Sequence, residues 1–188
     1  IAISYFGKMA GYKNLIGFDI GGTSTDISVI VDGAPRITSE GSIGNYPFAL
    51  PIVDINTIGA GGGSLAYVDI AGGIHVGPES AGATPGPVCY GMGGSKPTIT
   101  DATLCMGRLN EHFFLGGKME LDKSAAANAI NEQIAKPLGK TLEEASQGIF
   151  DVALANMVRA IRVSSVERGL DPRDFALIAF GGGGAVFT

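Results

Sequence analysis

Hydrophobic positions in the first forty residues predict a short helix followed by three strands. Apolar side chains recur at helical spacing from the start, and Gly11 can end that helix. Apolar runs at 14–18 and 27–31 are typical of strands, and the Asp32-Gly33 pair can turn the chain into a third strand at 36–39. We therefore expect a β-hairpin unit with a polar turn between the two apolar runs.

The middle of the chain has a different pattern. Most of the 30 glycines lie between Gly41 and Gly117, with many of the prolines among them. Strands are predicted at 52–58, 65–70 and 74–76, and residues 77–101 are predicted to form a long loop. Because long irregular loops in compact domains are usually functional or disordered, and this one is poor in charge, we expect it to pack over a cleft.

The last third is predicted to be helical over 122–168. Asp122 or Ser124 can cap a first helix, and the sequence Thr-Leu-Glu-Glu at 141–144 is a capping box for a second one. Gly169 can end that second helix. A buried strand is predicted at 175–180, followed by a turn of four glycines that leads into a helix.

Candidate chemistry is concentrated in the polar turn, which has the sequence Asp-Ile-Gly-Gly-Thr-Ser-Thr-Asp. Its glycines let backbone amides approach a ligand without a Cβ in the way. Amides and hydroxyls together bind phosphate oxygens, and a carboxylate can hold a hydrated Mg²⁺ that bridges those oxygens. The candidate residues are Asp19, Gly21, Gly22, Thr23, Ser24, Thr25 and Asp26.

Other interpretations of the glycine motifs fit the sequence less well. A plain hairpin turn needs only a pair such as Asp32-Gly33, so two acids, two glycines and three hydroxyls exceed what turning requires. The glycines at 59–63 suggest a dinucleotide-binding motif, but Ser64 replaces its third glycine and a strand follows where that motif needs a helix. The chain has no Walker-type phosphate loop, because its Gly-Lys-Thr at 139–141 has Ile134 where that motif needs its first glycine.

Composition narrows the class of protein further. The 188 residues are 45% hydrophobic and 16% charged, which is typical of a globular domain. The net charge of −5 and the absence of a basic run argue against nucleic acid as a partner. No apolar stretch is long enough for a membrane span, and the start lacks a signal-peptide pattern. We expect a cytoplasmic protein.

The two cysteines and two histidines do not form a recognisable metal or catalytic site. Cys89 and Cys105 are sixteen residues apart, and the histidines do not flank them at a zinc spacing. We interpret both cysteines as ordinary reduced thiols, with a catalytic Cys89 as the alternative. Because the chain starts without Met and ends inside an unfinished pattern, we also expect it to be a fragment.

Several stretches together carry a resemblance to a known family. The turn at 19–26 resembles a phosphate motif of the actin, sugar kinase and Hsp70 superfamily, and the longer chain resembles the hydantoinase/oxoprolinase A family of that superfamily. The supporting stretches are 57–64, 76–83, 85–91, 97–101 and 179–185. Together with the turn they span nearly the whole chain.

The resemblance implies an α/β fold of the ribonuclease H-like, actin-like ATPase type. Residues 1–40 and 120–188 would form one lobe, and 41–119 a Gly/Pro-rich insertion of strands and loops. The turn at 19–26 would be the second phosphate motif and Gly181, Gly182, Gly183 and Gly184 the adenosine motif. The first phosphate motif would belong to an N-terminal lobe that this chain lacks, so the chain alone is expected to bind ATP weakly or not at all.

The family's activity is ATP-dependent opening of a cyclic amide of the hydantoin or 5-oxoproline class. The resemblance implies ATP and Mg²⁺ (or Mn²⁺) as cofactors, a small cyclic amide as substrate, a hydantoinase B-type subunit as partner, and an oligomer. Asp19 and Asp26 are the expected catalytic residues, with Asp19 as the metal ligand. Substrate-side candidates are Asp54, Glu79 and Asp101. Alternatives are an ATP-dependent ketone carboxylase subunit and a non-catalytic ATP-binding regulatory or assembly protein.

Overall fold

A computed structural model describes residues 1–43 and 45–188 of the chain. The helices are α1 Ala2–Ala10, α2 Ile99–Cys105, α3 Lys123–Ile130, α4 Lys136–Leu138 and α5 Leu142–Ser164. The strands are β1 Leu15–Ile20, β2 Thr25–Val31, β3 Ala34–Pro35, β4 Ile37–Thr38, β5 Gly41–Ile43, β6 Tyr46–Phe48, β7 Ile52–Val53, β8 Ile55–Ile58, β9 Ser64–Val68, β10 Ile74–Ser80 and β11 Ala176–Phe180. The fold is mixed α/β.

A five-stranded sheet forms the centre of the domain. β1 is antiparallel to β2 and parallel to β11, while β3 and β8 both pair with β2 in antiparallel fashion. The remaining strands form three two-stranded sheets, β9 with β10, β4 with β7 and β5 with β6. The turn between β1 and β2 therefore lies at one end of the central sheet, next to the end of β11.

Two helices cover opposite faces of this sheet because side chains alternate between the faces of a strand. Ile16, Phe18 and Ile20 of β1 are buried together with Met157 and Ala160 of α5. On the other face, Ile3 of α1 is buried against Leu15 and Ile30. The long helix α5 thus fixes the sheet from the side opposite α1.

Most of the local signals for helix ends are confirmed, and the one at Gly169 is not. Gly11 ends α1 with φ of 81°, and Asp122, rather than Ser124, caps α3 by accepting a hydrogen bond from the Ala125 amide. Thr141 and Glu144 form the predicted capping box of α5. That helix ends at Ser164 and a 3₁₀ turn follows, so Gly169 ends this turn and not the helix itself.

The predicted strands at 36–39 and 52–58 are wrong in their extent. The Arg36 amide still donates to the Val29 carbonyl oxygen of β2 at 3.1 Å, but beyond it the chain leaves the central sheet and β4 pairs with β7 instead. The segment 52–58 is broken at Asp54 into β7 and β8. Its second half, β8, is the strand that completes the central sheet beside the turn.

Three further predictions need correction. The loop predicted at 77–101 contains the end of β10 and the start of α2, which packs with α3 and α5 in the main apolar core. β8 lies inside the predicted insertion 41–119 but belongs to the central sheet, so the insertion cannot begin at residue 41 as a separate unit. β11 is half exposed, not buried, because it lies at the edge of the described sheet.

Candidate functional site

The turn at residues 21–24 is built as the sequence suggested. It is closed by a hydrogen bond from the Gly21 amide to the Ser24 carbonyl oxygen, 2.9 Å long. Gly22 and Thr23 are exposed, while Gly21 and Ser24 are half-buried. The turn thus presents backbone and hydroxyl groups to solvent at the end of the sheet.

A second glycine loop, residues 59–63, supports this turn from behind. The amides of Gly62 and Gly63 donate to the carbonyl oxygens of Gly21 and Gly22, at 3.0 and 2.6 Å. The Thr100 hydroxyl and amide both donate to the Gly62 carbonyl oxygen at 2.8 Å, which ties this loop to α2. The glycines at 59–63 therefore hold the turn in place.

Replacement of Gly61 by alanine is expected to destabilise the domain by about 1–3 kcal/mol. A Cβ at Gly61 would lie 2.7 Å from the Ser24 nitrogen and from the Thr23 carbonyl carbon, so the backbone of the turn would have to move. Urea unfolding measures the loss. Gly22→Ala is the matched control, since a Cβ there meets no atom within 4 Å and should change stability little. Equal stability of both variants would contradict the packing of the 59–63 loop against the turn.

The glycines at 181–184 also lie against the end of β1. The Gly183 amide donates to the Ile20 carbonyl oxygen at 2.9 Å. Gly181 has φ of 81°, and a Cβ there would lie 2.3 Å from Asp19 Oδ1. Only glycine fits this contact, which brings the last glycine loop against the first acid of the turn motif. The predicted helix after these glycines is a single 3₁₀ turn, Gly184–Val186.

One apolar cavity of about 250 Å³ opens between these loops. It is lined by glycines of the 21–24 turn and of the 59–63 and 181–184 loops, by α2 and by the segment 109–119. Its aromatic side chains are Tyr90, Phe114 and Phe187. The rings of Tyr90 and Phe114 are 5.5 Å apart, and burial raises the pKa of the Tyr90 phenol, which stays protonated at neutral pH. A flat, largely apolar group with polar edges fits this lining.

Sequence reasoning missed the residues that support Val186 and Phe187 in the wall of this cavity. Phe150 of α5 stacks on Phe187 with ring centroids 4.9 Å apart, and the Arg108 guanidinium lies 4.2 Å from the centre of the Phe150 ring. Arg108 also donates to the Val186 carbonyl oxygen at 2.9 Å. These contacts hold the end of the chain against α5. No local pattern indicates them, because they join segments distant in sequence.

A row of four side chains crosses the sheet beside the turn. Phe180, Asp19, Asp26 and Thr57 are direct neighbours on successive strands β11, β1, β2 and β8. Directly opposed residues point to the same face of a sheet with Cβ atoms about 5 Å apart. The two predicted catalytic acids therefore face each other, on the face opposite α5.

Thr25 does not fit its predicted phosphate-binding role. Its side chain is fully buried, and its hydroxyl donates to the Ala60 carbonyl oxygen at 2.5 Å. In β2 the side chain alternates with Asp26 and so points to the α5 face. Thr25 links the turn to the 59–63 loop, and only the hydroxyls of Thr23 and Ser24 remain at the surface of the motif.

The three substrate-side candidates lie away from the cavity. Asp54 forms an ion pair with Arg168 at 2.5 Å and lies four residues before the turn end of β8, roughly 13 Å along the strand. Glu79 is exposed in a separate groove with Lys96 and Tyr67. Asp101 is fully buried, where its carboxylate accepts hydrogen bonds from the backbone and side chain of Thr98 and from the amides of Val88 and Cys89. Its position is structural.

The thiols are not poised for nucleophilic chemistry. Burial, followed by the nearby Asp101 carboxylate, raises the pKa of Cys105 to about 11, and the same two causes raise the pKa of Cys89 still further. Reactive cysteines have the opposite shift. This supports the interpretation of both as ordinary thiols.

Thiol alkylation is therefore expected to be slow at pH 8 and to accelerate only as the pH passes through about 11. The raised pKa of Cys105 means that its neutral thiol favours the folded state at low pH. This contribution to the free energy of unfolding is fully present below about pH 9, the pKa of the thiol in the unfolded chain. It is lost as the pH rises through about 11, the pKa of Cys105 in the folded protein. Iodoacetamide labelling of native and urea-unfolded protein measures the difference, with Cys105→Ser separating the two thiols. Equal rates at pH 8 would contradict the burial.

Side chains that could bind a metal ion are not clustered in the described part of the chain. Among residues 1–43 and 45–188, no group of three His, Cys, Asp or Glu side chains is close enough to hold an ion. In the same residues, no helix combines the length and apolarity needed to cross a membrane.

The fold and site define a mixed α/β domain in which two glycine turns meet at one end of a sheet, around an apolar cavity. The family model for hydantoinase/oxoprolinase matches residues 1–188. The chain belongs to this family, as its motifs predicted.

Named relatives support the same assignment. The chain is 48% identical over 172 residues to the caprolactamase subunit alpha of Pseudomonas jessenii, covering 92% of this chain and 25% of the relative. It is 43% identical over 192 residues to the acetophenone carboxylase gamma subunit of Aromatoleum aromaticum, covering 96% and 25%. A nucleotide-free acetone carboxylase structure, from work on ATP-dependent acetone carboxylation, superimposes with a TM-score of 0.89 at 35% identity, covering 98% and 26%. The chain thus spans about a quarter of these relatives.

Proposed function

We propose that this chain forms one side of the ATP site of an ATP-dependent enzyme that opens a cyclic amide of the hydantoin or 5-oxoproline class. One observation carries the proposal: the 21–24 turn and the 181–184 loop meet at Ile20 and border the same apolar cavity. The residues of the 21–24 turn had suggested phosphate binding, and the family resemblance had implied an adenosine role for the 181–184 loop. The ATP dependence of structurally similar proteins supports it.

In this proposal the two ends of the nucleotide contact different parts of the site. The backbone amides and the hydroxyls of Thr23 and Ser24 bind phosphate oxygens, as exposed turns of successive amides do. The base and ribose lie along Gly181, Gly182, Gly183 and Gly184. The base enters the cavity, where Tyr90 supplies an aromatic surface with a protonated hydroxyl.

The two facing acids fit a hydrated divalent cation. Mg²⁺ prefers oxygen ligands and usually keeps several waters, so one or two carboxylates are enough. Asp19 provides one such carboxylate, with Asp26 directly opposite it across β1 and β2. We assign the metal, Mg²⁺ or Mn²⁺, to Asp19, where it would neutralise phosphate charge. Asp26 would orient the attacking oxygen.

The chemistry explains why a cyclic amide needs ATP. An unstrained lactam resists water, and phosphorylation of its carbonyl oxygen turns that oxygen into a leaving group. Positioned amides and charges that stabilise the phosphates then carry most of the catalysis. The residues of this chain would bind and orient the phosphates. Substrate groups must come largely from elsewhere, since Asp101 is fully buried and Asp54 is paired with Arg168.

We also propose the wider organisation that the family resemblance implied. The order of α1, β1, β2, β8, α5 and β11 fits one ribonuclease H-like lobe of an actin-like ATPase, with a Gly/Pro-rich insertion after β8. A preceding lobe would supply the other half of the ATP cleft. Relatives that are named as alpha and gamma subunits support an oligomer with a hydantoinase B-type partner. The two unpaired cysteines fit a reducing, cytoplasmic location.

A ketone carboxylase subunit is the second candidate function. The acetone carboxylase structure is similar over 98% of this chain, so the same half-site is compatible with carboxylation. Because the cavity is proposed to bind the nucleotide, its lining does not indicate which second substrate the enzyme uses.

Phosphate release from ATP by the full-length protein tests these functions together. Release stimulated by 5-oxoproline, hydantoin or caprolactam would support the cyclic amidase. Release stimulated by acetone or acetophenone with bicarbonate would support the carboxylase. ATP binding without release in any mixture, including one with the B-type partner, would favour a regulatory or assembly role instead.

A further inference from the structure

We infer that Thr57, the first residue of the 57–64 stretch, to which no role had been assigned, is a positioning residue for Asp26. The inference rests on the proposed function for its catalytic consequence, but its structural basis is independent of it. The Thr57 hydroxyl on β8 donates a hydrogen bond of 2.5 Å to Asp26 Oδ1 on β2. Distances of 2.5–2.7 Å are typical of hydroxyl donors to a carboxylate, and such bonds are about twice as strong as neutral ones.

The direction of this bond matters because Asp26 lies between two neighbours. Asp19 is opposite Asp26 on one side, and Thr57 is opposite it on the other. By engaging Oδ1 from the β8 side, Thr57 keeps that oxygen turned away from Asp19. Like charges directly opposed across strands destabilise a sheet, so a donor that separates them relieves repulsion.

The side chain of Asp19 is held from the β11 side of β1, away from Asp26. Its Oδ1 packs against Gly181, where a Cβ would come within 2.3 Å. The two carboxylates are thus each held from the flank, Asp19 by the 181–184 loop and Asp26 by β8. This arrangement keeps their roles separate, with Asp19 available to the metal and Asp26 oriented toward the attacking oxygen.

Threonine suits this position for a physical reason. Its β-branched side chain has few accessible χ1 rotamers in a strand, so the hydroxyl is held toward Asp26 at little further entropic cost. Valine has the same shape without the donor, and serine keeps the donor without the methyl group. The pair Thr57→Val and Thr57→Ser therefore separates the hydrogen bond from packing.

The first test is independent of activity. In ¹³C NMR spectra of the protein, the Asp26 Cγ resonance is expected to move in Thr57→Val and to stay near its wild-type position in Thr57→Ser. The Asp19 Cγ resonance should change little in either variant. An unchanged Asp26 resonance in Thr57→Val would overturn the inference, whether or not the protein hydrolyses ATP.

The second test measures the catalytic consequence in the full-length protein. Thr57→Val is expected to lower kcat for ATP hydrolysis about 10- to 100-fold, a loss of the size seen when the hydrogen-bond partner of a functional side chain is removed. Thr57→Ser should stay within about threefold, because the donor is kept. In an Asp26→Asn background, Thr57→Val should have no further effect, since it acts through Asp26.

The outcomes separate the two proposals. An equal loss from Thr57→Val with and without Asp26→Asn would show that Thr57 acts on its own and would overturn the positioning role. No ATP hydrolysis by the wild type, together with the expected NMR shift, would remove the proposed function while leaving the Thr57–Asp26 contact in place.

Discussion

Replacement of Asp19 by alanine is expected to lower ATP turnover by the full-length protein about 10³-fold. Asp19 faces Asp26 across the sheet and packs against Gly181, so it lies where the two glycine loops meet. In the proposed site its carboxylate holds the divalent cation that neutralises phosphate charge. Loss of that charge should affect kcat for ATP hydrolysis, measured by phosphate release, far more than the fold.

Two further variants make this prediction specific. Asp19→Asn keeps the side-chain shape and should lose activity almost as fully, because the charge and not the volume is needed. Asp151→Ala removes the same charge from the exposed face of α5 and should leave turnover unchanged. Normal turnover by Asp19→Ala would show that the phosphate site is assigned to the wrong residues. A scaffold protein would instead keep its partner binding in this variant.

Replacement of Asp101 by alanine is expected to destabilise the domain by about 3–5 kcal/mol. Its buried carboxylate accepts four hydrogen bonds, at 2.8–3.2 Å, from donors on Thr98, Val88 and Cys89. Alanine would leave these donors without their shared acceptor inside the protein. It would also release the start of α2 from the 88–90 turn.

Urea unfolding at constant protein concentration measures this loss. Asp122→Ala is the matched control, since Asp122 is also a helix N-cap but accepts a single hydrogen bond at the surface of the domain. That loss should be about 1 kcal/mol. Equal effects of the two substitutions would contradict the role of Asp101 as a buried anchor and would reopen its assignment to the substrate side.

Features that depend on neighbouring residues could be predicted from the sequence. The capping box at Thr141 and Glu144 and the turn at 21–24 are each specified by residues within a few positions of one another. The four glycines after β11 likewise identify a turn directly. These local signals identified both halves of the candidate site before their spatial relation was known.

Features that depend on distant contacts could not be predicted in this way. Thr25 appeared equivalent to Thr23 in the motif, but strand alternation points its hydroxyl inward toward Ala60, thirty-five residues away. Thr98 and Asp101 form a capping box, which is a local signal, but the helix begins with β-branched residues, Ile99 and Thr100, which do not favour helix. The distant part of the Asp101 site is its contact with the amides of Val88 and Cys89, which no local pattern indicates.

The contacts of the two acids could not be predicted for the same reason. β8 joins β2 only after the chain has left the central sheet beyond Arg36 and returned through β7, so no sequence spacing places Thr57 beside Asp26. The walls of the cavity come from α2, the 109–119 segment and the end of the chain. Their convergence is a property of the tertiary fold.

Photoaffinity labelling with 8-azido-ATP tests the central claim most directly, because it reports where the base lies. The full-length protein is labelled with and without excess ATP, and the modified peptides are identified by mass spectrometry. We expect ATP-protected label within 109–119, at Tyr90 or in 182–187, the segments that line the cavity. Protected label confined to another part of this chain, such as the groove with Glu79 and Lys96, would contradict the proposed ATP site.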